Sequence, residues 1–215
     1  MTDRPVFYYK NDPISEIKAG GLLFYYPNKK TNDIDFLMIK SRGYFEDIGG
    51  RTDKVDKTAN STIAREVEEE SNKIFKKKYI LNVIKKETPL YTKPSKYLLY
   101  ICKLEDKYEN LDPIVFGDKE FHDDIFRTME WIPYTKLKKK KFRETLNFRL
   151  KFKEFFSTIQ SIYKKHYKDS TISDVSESED ESDDNTNSSE SKIINYGIVD
   201  DDSTEFESNC KYEFI

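Results

Sequence analysis

The chain has 215 residues, 36% hydrophobic and 36% charged, with a formal net charge of −3. So small an apolar share predicts that part of the chain stays unpacked, while 14% aromatic residues supply a core for the remainder. No run of about 18 apolar residues occurs and the start of the chain lacks an apolar stretch, which argues against a membrane span and a signal peptide.

Cys102 and Cys210 are too few for a disulfide framework, so a cytoplasmic or otherwise intracellular, reducing location is expected. The near-neutral total hides a split. Residues 169–215 hold 15 acidic and 2 basic side chains, leaving 35 basic against 25 acidic in residues 1–168. A basic body of this kind favours polyanionic ligands.

Along the chain, residues 19–26 (AGGLLFYY) read as a strand, 27–33 as a polar turn, and 35–39 as a second strand paired with the first. Residues 43–56 read as a loop leading into a helix that Thr58 or Asp56 caps. Ile63, Val67 and Ile74 are its expected buried stripe. Residues 79–85 and 96–103 read as further strands, with an extended proline-containing segment between them. Residues 105–124, polar and carrying Pro113 and Gly117, read as a surface loop, and 129–133 as a short strand.

From residue 142 to 165, Phe142, Leu146, Leu150, Phe155, Phe156, Ile159 and Ile162 recur at helical spacing and predict a long amphipathic helix. A basic run at 136–141 precedes it. Residues 169–191, rich in Ser, Asp and Glu, bury too little apolar surface to offset chain entropy and are expected to be a disordered linker. Residues 192–215 regain apolar residues without a period and form a tail that can dock on the body or on a partner.

The densest chemistry lies in Arg65-Glu66-Val67-Glu68-Glu69-Glu70-Ser71, downstream of Gly49-Gly50-Arg51. Positions i, i+3 and i+4 share a helix face, so Glu66, Glu69 and Glu70 project together. Their mutual repulsion calls for compensation, and a hard divalent cation with oxygen ligands is the simplest source. Oxygen-only ligation favours Mg²⁺ or Mn²⁺ over zinc.

This segment resembles the Nudix box, the signature of a family of pyrophosphate-bond hydrolases. The family pattern runs Gly, five residues, Glu, seven residues, then Arg-Glu-aliphatic-x-Glu-Glu-x-Gly-aliphatic. Residues 65–71 match its core residue for residue. Three positions depart: Asp56 replaces the Glu after Gly50, the Asp56-to-Arg65 spacing is one residue longer, and Asn72-Lys73 replace the closing Gly-aliphatic pair. Asn tolerates the left-handed conformation and can still end a helix.

The resemblance implies an α+β fold, an α/β/α sandwich with a mixed sheet, expected to cover residues 5–168. It implies hydrolysis of a nucleoside diphosphate linked to another group, with the carbonyl of Gly49 or Gly50 joining Glu66, Glu69 and Glu70 on the metal. Arg65 would orient Asp56. The base would be Glu69 or Glu70, or a distal carboxylate among Glu120, Asp123 and Asp124. Arg51, Lys54 and Lys57 are the expected phosphate contacts.

Three substrate classes stay open: nucleotides or dinucleotide polyphosphates, capped RNA, and diphosphoinositol polyphosphates. The body's charge tilts toward a larger polyanion. The alternative function is a catalytically weak binding module for nucleotide or RNA. The run 136–141, continued by Arg143, Arg149, Lys151 and Lys153, is either a solvated Lys-rich surface or a polyanion contact. Trp131 is expected in the core, His122 and His166 on the surface, and Cys102 buried as a small hydrophobe. Ser176, Ser178 and Ser182, set among acids, suit either phosphorylation or solubilisation.

Overall fold

The computed structural model of the chain describes residues 4–108, 111–119, 126–137, 139–143 and 153–167. The acidic linker, the C-terminal tail, His122 and the distal carboxylates Glu120, Asp123 and Asp124 lie outside the described residues.

A short antiparallel ribbon, β1 (Phe7–Tyr8) with β2 (Glu16–Ile17), precedes a seven-stranded mixed sheet. Its strands are β3 (Ala19–Asn28), β4 (Asp33–Ser41), β5 (Tyr44–Glu46), β6 (Ile48–Arg51), β7 (Leu90–Thr92), β8 (Tyr97–Lys103) and β9 (Arg127–Pro133). The helices are α1 (Ala59–Glu70), α2 (Lys77–Ile84), α3 (Tyr134–Leu137) and α4 (Lys153–Tyr167). Central β3 runs parallel to β8, while its other edge is shared antiparallel by β6 near its start and β4 near its end.

Strands covered on both faces read as continuous apolar runs, and here the period of two sorts their side chains. Leu22, Phe24, Leu37, Ile39, Leu98, Tyr100 and Cys102 face one way, packing with Ile63, Ala64 and Val67 of α1 and Ile80 and Ile84 of α2. Leu23, Ile34, Phe36, Met38, Leu99 and Ile101 face the other way, onto Phe155 and Ile159 of α4. The result is the expected α+β sandwich of helix, mixed sheet and helix. None of the described helices is long and apolar enough to cross a membrane.

Several local expectations are corrected. Residues 79–85 are not a strand: 79–84 fall in α2, with Lys85 as its C-cap, because Ile80 and Ile84 are buried at i, i+4 spacing on the α1 side. Residues 43–56 are not all loop: β5 and β6 lie there, and Gly49 and Gly50 pair with Gly21 and Gly20. The glycine pair is therefore strand, and the turn sits earlier, where Arg42 and Gly43 have φ of 51° and 80°.

Residues 105–124 are more than a surface loop, since Pro113–Phe116 forms a 3-10 turn that buries Phe116 against Phe75. The helix expected over 142–165 begins later. Phe142 bridges Phe45, whose N–H donates to Lys141 O (2.8 Å) and whose carbonyl accepts from Arg143 N (3.0 Å). An open strand edge has thus drawn this segment into pairing. Residues 144–152 lie outside the described residues, and α4 ends at Tyr167.

Ile74 lies beyond α1 yet still packs on the core. Trp131 is half-buried and donates from Nε1 to Leu111 O (3.1 Å). Cys102 is buried as expected, with its thiol pushed well above its ordinary range by burial. His166 is not simply at the surface, since its ring meets Tyr25 at 6.0 Å.

Candidate functional site

Thr58, not Asp56, caps α1. Thr58 Oγ1 accepts from Ser61 N (3.0 Å) while Thr58 N donates to Ser61 Oγ (2.9 Å), a reciprocal box that satisfies the helix's first donors. Ile63, Ala64 and Val67 then lock the helix onto the sheet. Close approach needs bare backbone beneath: a Cβ on Gly20 would stand 2.7 Å from Ile63 Cγ1. With that stripe facing inward, Arg65, Glu66 and Glu69 fall on the flank beside β6.

Arg65 is the hub. Its Nε and Nη2 grip Asp56 Oδ1 and Oδ2 at 3.1 and 3.0 Å, a two-pronged pairing. Nη2 also donates to Glu66 Oε1 (2.8 Å) and Arg51 O (2.9 Å), and Nη1 to Glu69 Oε2 (2.9 Å). Asp56, only 6% exposed, accepts from Asp53 N at 2.8 Å as well.

Burial alone would raise the Asp56 carboxyl, but the Arg65 and Asp53 hydrogen bonds outweigh it and hold the group below its ordinary range. Burial alone would lower the Arg65 guanidinium, and its carboxylate partners reverse that, raising it. The repulsion expected within the glutamate cluster is therefore met, for Glu66 and Glu69, by a neighbouring guanidinium within the chain.

A second feature is the cradle under Glu66. A Cβ on Gly50 would lie 2.2 Å from Glu66 Oε2, so only glycine lets this carboxylate rest against the strand. Gly50 and Glu66 are thus brought together, and Glu70 Oε2 is shut off from solvent. Among the described residues, no three acidic, His or Cys side chains stand close enough to hold an ion in this arrangement, in which Arg65 engages Glu66 and Glu69. Each ionised carboxylate offers about four acceptor sites, so a guanidinium bond does not exhaust it. All-oxygen donors beside a bare backbone fit a hard cation.

Asn72 stands where the resemblance expects glycine, and its φ of 50° is left-handed. Its Nδ2 donates to Phe116 O and to Lys119 O (2.8 Å), tying the end of α1 to the segment that precedes the distal carboxylates. Of the expected phosphate contacts, Arg51 is exposed at the end of β6, next to the hub. Lys54 is exposed in the following loop. Lys57 lies before the α1 cap and lines a separate cleft with Tyr9, Lys10 and Tyr100. The Gly20-Gly21 pair went unremarked in the sequence, although its repeat in Gly49-Gly50 was the available signal of two backbones in close approach.

The Asp56 carboxyl predicts an acid-sensitive term. A carboxyl lowered by folding stabilises the protein fully above its unfolded value, near about 4, and loses that contribution as pH falls through the folded value. Asp56→Asn should therefore flatten the fall in Tm below about pH 4 while lowering Tm at pH 7. Thermal melts across this range that keep the wild-type slope would show that the pair with Arg65 carries no linkage.

No protein-family model matches the chain, and no curated protein matches it.

Proposed function

We propose that the chain is a Nudix-type hydrolase, dependent on Mg²⁺ or Mn²⁺, that cleaves a pyrophosphate link in a nucleoside diphosphate-linked substrate. The observation that carries this is Arg65 bound at once to Asp56, Glu66 and Glu69, with Glu66 resting on Gly50. It supports the reading because each contact joins residues to which the sequence resemblance assigns one site. The left-handed Asn72 removes one objection, since it serves where glycine was expected.

Glu66, Glu69, Glu70 and the Gly50 carbonyl would hold the cation. When bound, it supplies positive charge against phosphoryl oxygens and makes a coordinated water easier to deprotonate. The chain's own residues do the rest. Arg65 fixes the orientation of Glu66 and Glu69 and, through Asp56, ties α1 to the loop after β6. Glu69 or Glu70 accepts the proton of the attacking water, unless a carboxylate among Glu120, Asp123 and Asp124 does so. Arg51 presents its charge to the substrate phosphates beside them.

A binding module without turnover is the second reading. What favours it is the hold of Arg65 on Glu66 and Glu69, with Asp56 one methylene shorter than the family's Glu.

A panel of pyrophosphate substrates, assayed with Mg²⁺ and with Mn²⁺, separates the two. The expected result is cation-dependent release of phosphate or a nucleoside monophosphate, reduced roughly 10²–10⁴-fold in Glu70→Gln with little change in Tm. Binding of the same substrates without turnover would leave the second reading.

A further inference from the structure

Three strand ends meet at one corner of the sheet. Ala19 at the start of β3 is in register with Arg51 at the end of β6 and with Tyr97 at the start of β8. This register brings Lys18, Arg51 and Lys96 together from positions far apart in the chain. Together with Arg4 they line a cleft of about 500 Å³, whose wall also includes Thr52 and Pro94.

The rim is built from backbone. Lys18 N donates to Lys96 O (2.9 Å), Thr52 N donates to Lys18 O (3.1 Å), and Lys96 is held at a φ of 49° by the turn that closes on Lys93 O. Lys18 and Lys96 both pair with Glu16 Oε2, which steers two ammonium groups to one place, and Arg4 and Arg51 add two further cations to the lining. The corner also abuts the hub, because Arg51 O accepts from Arg65 Nη2.

We propose that this corner is a binding cleft for a compact ligand bearing several phosphates, placed so that phosphates beyond the cleaved link rest on Arg4, Lys18, Arg51 and Lys96. Its role in substrate selection rests on the hydrolase reading; its role in binding does not. Low-dielectric walls with charge of one sign focus the field on such an anion, and the Arg forks suit phosphate geometry. The volume suits a small ligand. A single-stranded nucleic acid is the poorer match, because such strands are held by aromatic stacking as well as charge, and none of the described lining residues is aromatic.

The test is calorimetric titration of the full chain, without divalent cation, using inositol hexakisphosphate and tripolyphosphate as probes, against AMP and a single-stranded RNA 20-mer. Both compact probes are expected to bind more tightly than AMP and the RNA. Lys18→Gln with Lys96→Gln should weaken hexakisphosphate binding by at least about tenfold, since charge-assisted hydrogen bonds to phosphate are lost. Lys139→Gln, exposed and outside the cleft, and Lys140→Gln, packed over Phe45, should together change it by less than about twofold, as charges beyond the Debye length are screened. Arg4→Gln, exposed ahead of β1, reads the same site should the double variant fold poorly.

Unchanged affinity in the cleft variants, or equal loss in the outside pair, would overturn the proposal. So would tighter binding of the RNA that depends on Lys18 and Lys96. Hexakisphosphate binding through these residues without hydrolysis of any pyrophosphate substrate would uphold the cleft and sink the hydrolase reading. Hydrolysis with cleft-independent binding would do the reverse.

Discussion

Replacing Arg65 with Met is expected to destabilise the protein by about 3–5 kcal/mol at neutral pH, the cost typical of removing one partner of a buried ion pair. The side chain is only 16% exposed and Asp56 has no exposed side-chain surface, so little water can replace the guanidinium. Asp56 would be left as a buried carboxylate with only its hydrogen bonds from Asp53 N–H and the Thr62 side chain, and Glu66 and Glu69 would lose the cation they share.

For a domain of this size the Tm should fall by roughly 10 °C. The deficit should narrow on acidification, because a stranded, buried Asp56 takes up a proton more readily than one held by Arg65. Adding Asp56→Asn to Arg65→Met should recover part of the loss at pH 7. Urea melts of the two single variants and the double variant measure this. Strictly additive losses would mean that Arg65 and Asp56 do not act as a pair.

Alanine at Gly50 and alanine at Gly49 are expected to fail in opposite ways. At Gly50 the three atoms nearest the new methyl would all belong to the carboxylate end of Glu66, at 2.2 to 2.8 Å, and that flexible end can swing aside. Stability should change little, while the proposed hydrolysis should drop by about 10²-fold, the scale of a displacement near 1 Å in a reacting constellation.

At Gly49 the methyl would meet Gly21 Cα at 2.3 Å and Gly20 O at 2.4 Å, which are backbone atoms in a paired strand and cannot yield. Overpacking there should cost about 1–3 kcal/mol or more, with activity falling because folded protein is lost. Turnover normalised to folded protein, measured alongside Tm, separates the two cases. Full activity in Gly50→Ala would remove Glu66 from the site.

Much of the fold was legible wherever a local pattern dictates it. The stretch KYLLYICK reads as a strand because alternate side chains are apolar on both faces, and β8 indeed feeds both cores. Asn72 was legible for an equally local reason, since its left-handed tolerance is a property of the residue itself. Residues 79–85 misled because Tyr, Ile and Val suit a strand by propensity. Only packing on α1 chose the helix that puts Ile80 and Ile84 on one side. Gly49 and Gly50 carry no side chains, hence no period, and their strand becomes visible only beside Gly20 and Gly21.

The site divides along the same line. Which acidic residues share a face of α1, and that Arg65 can reach Glu69 one turn on, follow from helical spacing in the bare sequence. That Arg65 also takes Asp56 and the Arg51 carbonyl, and that Lys18, Arg51 and Lys96 form one basic corner, came only from the folded chain. Helical and strand periods are written in neighbouring residues. Meetings between residues tens of positions apart depend on strand register and on how closely a helix can lie on a sheet, and neither is encoded within any one segment.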